Sequence, residues 1–386
     1  MRLAFYAPMK PPDHPVPSGD RVMGRLLMRA WEAAGHEVEL ASRLVSREPA
    51  DSPTRQRNIA ACAAAERDYL TGIYGAAGAA RRPDAWFTYH VYYKAPDWLG
   101  PGIARALGIP YLIAEASIAQ KRATGPYAWN HRATVEAVAA ATHIFVINPA
   151  DRAGLIPAVE SPDRLDDLPA FLDTCAYAGL ERERPALRRA LALRYGLDAD
   201  PPWLISVAMM RAGDKLASYR ILGQALRRLL DLDWRLLVVG DGPARPEVET
   251  ALDGLGAQKL CYLGRLEEAA LRSCYAASDL CLWPAVNEAY GMSLLEAQAA
   301  GLPVVAGTAG GVASIVASGE TGLLTPVGDV DAFAAATRTL IEAPARRATM
   351  GEAAREKTRR QHDNAAAARL LDRALVEARR EHGARA

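Results

Sequence analysis

The chain has 386 residues, half of them hydrophobic, enough for two ordinary cores and more than a single core usually takes. Its 46 lysines and arginines against 45 aspartates and glutamates leave a net charge of +1, so no global field draws it to nucleic acid or to an acidic partner. Five irregularly spaced cysteines (Cys62, Cys175, Cys261, Cys274, Cys281) include no C-x-x-C pair, which argues against a zinc cage or a secreted disulfide framework and fits a reducing cytoplasm. The opening "MRLAFYAPMKPP" lacks the apolar core of a signal peptide. No window reaches the ~18 uncharged apolar residues of a membrane span, so a soluble protein is expected.

"RLAFYAP" reads as a short buried strand. After the loop "MKPPDHPVPSGDR" comes the amphipathic stretch "VMGRLLMRAWEAAG", with Val22, Met23, Leu26, Leu27 and Ala30 on one face and Gly35 as its stop. "HEVELAS" resumes as a strand, which makes the opening unit β-loop-α-β, the building block of a parallel sheet. "DAWFTY", "PYLIAE" and "HIFVI" continue as strands, with "PGIARALG" and "TVEAVAAA" as helices. From residue 177 a charged stretch ending in a proline pair, "AGLERERPALRRALALRYGLDADPP", reads as a hinge. "WLISVAM", "WRLLVVG", "KLCYLG", "DLCLWP" and "LPVVAG" then form a second α/β series, and the tail from about 331 is helical. The expectation is two doubly wound domains facing across a cleft: 1–176, a 177–202 linker, 203–360, and a C-terminal helix at 361–386.

In open α/β sheets ligands bind beyond the carboxyl ends of the strands, so the chemistry should follow them. After "WRLLVVG" stands "GDGP", a G-x-G without the third glycine of a dinucleotide fingerprint and weak as a cofactor signal. After "DLCLWP" comes "AVNEA", then a helix "GMSLLEAQAA" closed by Gly301 with Pro303 just beyond. The main-chain N–H groups of Gly291, Met292 and Ser293 at its start suit a phosphate. Glu296, a turn and a half in, suits a diol such as a ribose; Glu288, in the preceding loop, suits a sugar. "MMRAGDKLASY" after the second domain's first strand adds Arg211 and Lys215, cations for a diphosphate leaving group.

Glu288 and Glu296 form an E-x7-E pattern, which continues as "EAQAAGLPVVA" and then "GGVASIVASGETGLLTPVGD". With "VVGDGP", "YLGRL" and "LPAFLDT", these motifs resemble the retaining glycosyltransferases of family 4, which have the GT-B fold. The likeness is dense from 203 to 330 and loose before 180. It implies that Glu296 holds the nucleotide ribose, that Glu288 contacts the donor sugar, and that the backbone approaches the sugar and diphosphate at Gly310 and Gly311. One departure stands out. The family's arginine lies five residues before the lysine, where this chain has Met210, and Arg211 follows one place later.

In the first domain "KPPDHPVPSGDR" occupies the place of the family's glycine-rich loop, with Ser18, Gly19 and Asp20 at a helix start. Many members carry a histidine after a later strand; this chain offers Glu115 in "YLIAEASIAQKR" instead, with Ser117 close by, while His90 follows an earlier strand. These three are taken as the acceptor or sugar side. Tyr89, Tyr92, Tyr93 and Trp98 are left to packing.

The resemblance implies transfer of a sugar from a nucleotide donor to an acceptor hydroxyl with retention, without metal or other cofactor, and closure about the hinge to exclude water. The setting it implies is bacterial polysaccharide or glycoconjugate synthesis, in the cytoplasm or at the inner membrane face. Carbohydrate or lipid-linked acceptors are expected as partners, nucleic acid is not, and a weak membrane contact would use Arg25, Arg29, Lys121 and Arg122. Two alternatives stay open: a nucleotide-sugar epimerase on the same fold, and a non-catalytic nucleotide-binding protein with a decayed site, which the displaced arginine keeps in view. A pyridoxal-phosphate phosphorylase is disfavoured by the short chain.

Overall fold

The computed structural model describes residues 1–16, 18–76, 78, 81–288 and 290–385, with the main chain alone at 383–385. The chain divides into two units, Met1–Pro169 with Asn364–Ala386, and Ala170–Asp363.

In chain order the first unit holds β1 (Arg2–Tyr6), α1 (Gly19–Ala33), β2 (Glu37–Ser42), α2 (Pro53–Ala76), β3 (Ala85–Val91), α3 (Gly100–Leu107), β4 (Tyr111–Ala116), α4 (Ala128–Ala140), β5 (His143–Val146), α5 (Arg152–Leu155) and β6 (Leu165–Asp167). Its sheet is parallel, in the order β2-β1-β3-β4-β5-β6. Strands buried on both faces need continuous apolar runs, and Leu3 to Tyr6 and Leu112 to Ala114 supply them. Ser18 caps α1, its hydroxyl accepting from the Arg21 N–H at 3.3 Å. The helix buries Met23, Leu26, Leu27, Ala30 and Trp31; Val22, expected on that face, is 44% exposed.

The second unit holds α6 (Leu180–Tyr195), β7 (Trp203–Val207), α7 (Asp214–Arg227), β8 (Arg235–Val239), α8 (Arg245–Leu252), β9 (Leu260–Gly264), α9 (Glu268–Ala277), β10 (Leu280–Trp283), α10 (Met292–Ala299), β11 (Val304–Gly307), α11 (Val312–Ile315), β12 (Gly322–Thr325), α12 (Val330–Glu342) and α13 (Pro344–Gln361). Its strand order is β12-β11-β10-β7-β8-β9, again parallel. Each sheet therefore reverses its winding once, between β1 and β3 in the first unit and between β7 and β10 in the second.

The observed division differs from the expected one in two places. The 177–202 stretch does not stand apart as a linker: α6 packs on α9 inside the second unit. Its charges are spent on docking. Arg184 and Arg188 grip the Asp279 carboxylate at 2.7 and 2.8 Å, and Arg188 stacks on the Trp203 ring at 4.4 Å. The tail helix α14 (Asn364–Arg385) returns to the first unit, where it packs on α1 and Asp372 meets His36 at 3.1 Å. Among the described residues no helix is long and apolar enough to cross a membrane.

Candidate functional site

In the second unit the residues of interest gather at the reversal point. Lys215, in the first turn of α7, reaches Glu288 in the loop after β10, Nζ to Oε2 at 2.5 Å. The Trp283 indole N–H donates to the same Oε2 at 3.0 Å, and the ammonium lies 5.3 Å from the centre of that indole. Tyr219 holds Trp283 edge-on at 5.2 Å. The loop is fixed from below. Ser218 Oγ accepts from the Val286 N–H at 3.0 Å, and Asn287 donates to Asp214 at 2.9 Å. Ala285 and Asn287 take positive φ, 55° and 50°, conformations costly for side-chain-bearing residues and concentrated at functional loops.

Gly291, at φ 74°, turns the chain into α10. The N–H groups of Met292 and Ser293 meet no main-chain acceptor among the described residues, leaving donors free for an anion. Glu296 is half-buried one turn on, and the Tyr275 hydroxyl stands 3.1 Å from both its Oε2 and the Ser293 carbonyl. Burial pushes the Glu296 carboxyl up to about 7, against the Tyr275 hydrogen bond. Near neutrality it is a mixture of acid and carboxylate. Gly310 is exposed at φ 47° and Gly311 buried at the start of α11.

Two expected features lie elsewhere. Arg211 is exposed with no side-chain partner among the described residues, so it does not join the Lys215–Glu288 pair. Met210, in the family arginine's place, is buried and tied by its N–H to the Asp241 carbonyl at 3.0 Å. That tie explains "GDGP". A Cβ on Gly240 would lie 1.9 Å from the Ala208 carbonyl oxygen and one on Gly242 2.3 Å from that of Met210, so these glycines let two loops touch.

The first unit places its own cluster at its own reversal point. Asp20, in the first turn of α1, meets His90 Nδ1 at the end of β3 at 3.0 Å; His90 Nε2 lies 3.7 Å from Glu115 at the end of β4. Both His90 (φ 68°) and Glu115 (φ 61°) take left-handed backbone. Glu115 is 8% exposed and its Oε2 has no hydrogen-bond partner among the described residues. Burial opposes charge on His90, but the Glu115 and Asp20 carboxylates outweigh it and raise the imidazolium's pKa. Glu115 itself is pushed up by burial; at Asp20 burial also pushes upward, but the hydrogen bond and charge of His90, with a main-chain hydrogen bond and Lys10, together hold that carboxyl low. Ser117 ties its N–H to Val91 at 3.0 Å, and Gly19 faces open space as the first residue of α1. Among the described residues no group of three or more His, Cys, Asp or Glu is disposed to hold a metal ion.

The sequence reading missed Trp283 and Tyr275, which set the two glutamates, and the Asp20 carboxylate, which it had taken for loop backbone. Trp283 ends the strand "DLCLWP" and was visible there; Tyr275 had no local signal.

Two doubly wound parallel sheets of these orders are the architecture of GT-B glycosyltransferases. Residues 201–343, all within the second unit, match the family model described as glycosyl transferases group 1. Among curated relatives, the sulfoquinovosyl transferase of Arabidopsis thaliana is 35% identical over 139 residues, 35% of this chain and 27% of that protein. A D-inositol 3-phosphate glycosyltransferase of Rhodococcus erythropolis is 30% identical over 276 residues, 69% of this chain and 60% of that one. The chain thus spans less than two thirds of the length of these relatives. The Anabaena protein HepE, solved with UDP, superposes with a TM-score of 0.72 at 16% identity, over 98% of this chain and all of that one. The resemblance read from the E-x7-E stretch holds at the level of a GT-B glycosyltransferase.

Proposed function

We propose that this protein transfers a glycosyl unit from a nucleotide sugar to an acceptor hydroxyl with retention and without metal. The observation that carries the reading is the Lys215–Glu288–Trp283 cluster, one loop from α10, whose free N–H groups and Glu296 follow in the same run. The Glu296 carboxyl takes the ribose diol, the N–H groups of Met292 and Ser293 with Lys215 take the diphosphate, and Glu288 takes a donor-sugar hydroxyl. Gly310 and Gly311 let the backbone approach that sugar. Arg211 reaches the diphosphate from solvent. HepE structures with UDP and UDP-glucose make UDP the first nucleotide to test.

In the step itself, the bond from the anomeric carbon to the diphosphate breaks as the acceptor oxygen bonds on the same face. The acceptor's proton passes to the departing phosphate, whose charge Lys215 and the helix N–H groups offset. His90, Glu115, Ser117 and Gly19 serve the acceptor or sugar side in the first unit, where a carbohydrate or lipid-linked acceptor binds. A cytoplasmic role in bacterial glycoconjugate or polysaccharide synthesis, with weak contact at the inner membrane face, rests on the family resemblance alone.

The test is proton NMR of UDP-glucose turnover with an acceptor panel, with and without magnesium. An α-linked product formed without metal supports the reading; a β-linked product, or epimerised donor with no acceptor present, contradicts it.

A further inference from the structure

At the carboxyl edge of the first sheet two cations stand on two tyrosine rings and a third hydrogen-bonds a neighbouring tyrosine, and none of the three has an ion pair among the described residues. The Arg122 guanidinium, in the turn after β4, lies 5.1 Å from the Tyr93 ring centre and 5.8 Å from that of Tyr127. Lys94 lies over Tyr93 at 5.7 Å, and Arg47 hydrogen-bonds Tyr92.

Stacking occupies the faces of a guanidinium and leaves its in-plane donors pointing outward. Arg122 Nε is buried without an acceptor among the described residues, an omission that costs about 1–3 kcal/mol unless a ligand supplies one. The rings are themselves fixed. The Tyr127 hydroxyl donates to the Glu48 carbonyl at 3.0 Å, and Tyr93 meets Tyr127 edge-on at 5.0 Å. A preset fork of donors flanked by two more cations fits the planar or tetrahedral oxygens of a carboxylate or phosphate. The position links it to the cluster described above, because Tyr92 packs on the His90 ring at 5.0 Å.

We propose that the acceptor is anionic, its phosphate or carboxylate held by Arg122, Lys94 and Arg47 beside His90. This rests on the transferase reading for the word acceptor, but the anion subsite stands on its own geometry.

The test is calorimetric titration of the full chain with glucose 6-phosphate, L-malate and glucose, with UDP present to occupy any nucleotide phosphate site. At least one anion is expected to bind with Kd near or below about 1 mM while glucose does not. Arg122→Gln should weaken that anion tenfold or more, and Arg122→Lys, which keeps the charge but loses the fork, should weaken it less. Arg57→Gln, an exposed control on α2, should change nothing. Anions binding no better than glucose, or equally well to Arg122→Gln, would overturn the proposal. UDP titrated alone separates the two readings. Arg122-dependent anion binding without UDP affinity removes the donor reading and leaves the subsite; UDP affinity without anion preference does the reverse.

Discussion

The two sheets reverse their winding at equivalent places, and at each reversal an acid and a base join across the gap. In the second unit Lys215 after β7 meets Glu288 after β10; in the first Asp20 after β1 meets His90 at the end of β3. Reversal leaves a crevice between two diverging loops, where side chains from distant parts of the chain can meet. Both edges also hold residues other than glycine in left-handed backbone. The difference lies in what each leaves unsatisfied. In the second unit Lys215 and Trp283 both converge on Glu288 Oε2, so a ligand must compete for that oxygen. In the first, Glu115 Oε2 and Arg122 Nε have no partner among the described residues, so a ligand would complete the set.

If the second unit supplies the charge that offsets the leaving group, Lys215→Ala should have the largest effect. Turnover should fall by roughly two to three orders of magnitude, the scale for losing one group that stabilises developing charge. Asp20→Asn should cost less and act differently: His90 loses a carboxylate that raises its pKa, so the imidazole should titrate lower by NMR. The same variant should lose stability at acid pH and little at alkaline pH, because a raised histidine stabilises only where it is protonated. Equal losses of turnover from the two variants would break the contrast between the edges.

Glu296 gives a smaller effect with a defined sign. Its folded pKa of about 7 lies above the ordinary 4.5, so its contribution to stability is complete below about 4.5 and is lost as pH rises through 7. The ceiling is about 3 kcal/mol. Glu296→Gln, which mimics the protonated form, should match the wild type in acid and exceed it at mild alkaline pH in urea unfolding. Parallel pH profiles would show that the carboxyl is not buried as described.

The two edges were unequally legible in the sequence. Glu288 and Glu296 lie eight residues apart, on one loop and the helix that follows it, with Gly291 between them and Gly301 after as punctuation. Asp20 and His90 are 70 residues apart, joined only by the pairing of β1 with β3, and no local pattern announces such a meeting. Strands of four to seven apolar residues were found in both units, but β6 and β12, of three and four residues, passed unread. The alanine-rich α2 buries few residues and shows no clear apolar face. Charge misled in α6, where Arg184 and Arg188 looked like linker solvation and are anchors on Asp279. "GDGP" misled in the other direction, since its glycines answer to a neighbouring loop. The Arg211 departure was seen, yet only the fold shows why: Met210 is needed inside.

The central claim is that the second unit's edge is a nucleotide-sugar site built around Glu296, and calorimetric titration tests it most directly. UDP, GDP and ADP would be titrated without metal and again with magnesium, beside Glu296→Ala. The account predicts that one nucleotide binds without metal and that the variant loses at least tenfold in affinity, about 1.4 kcal/mol. Binding only with magnesium, or unchanged in Glu296→Ala, would contradict it.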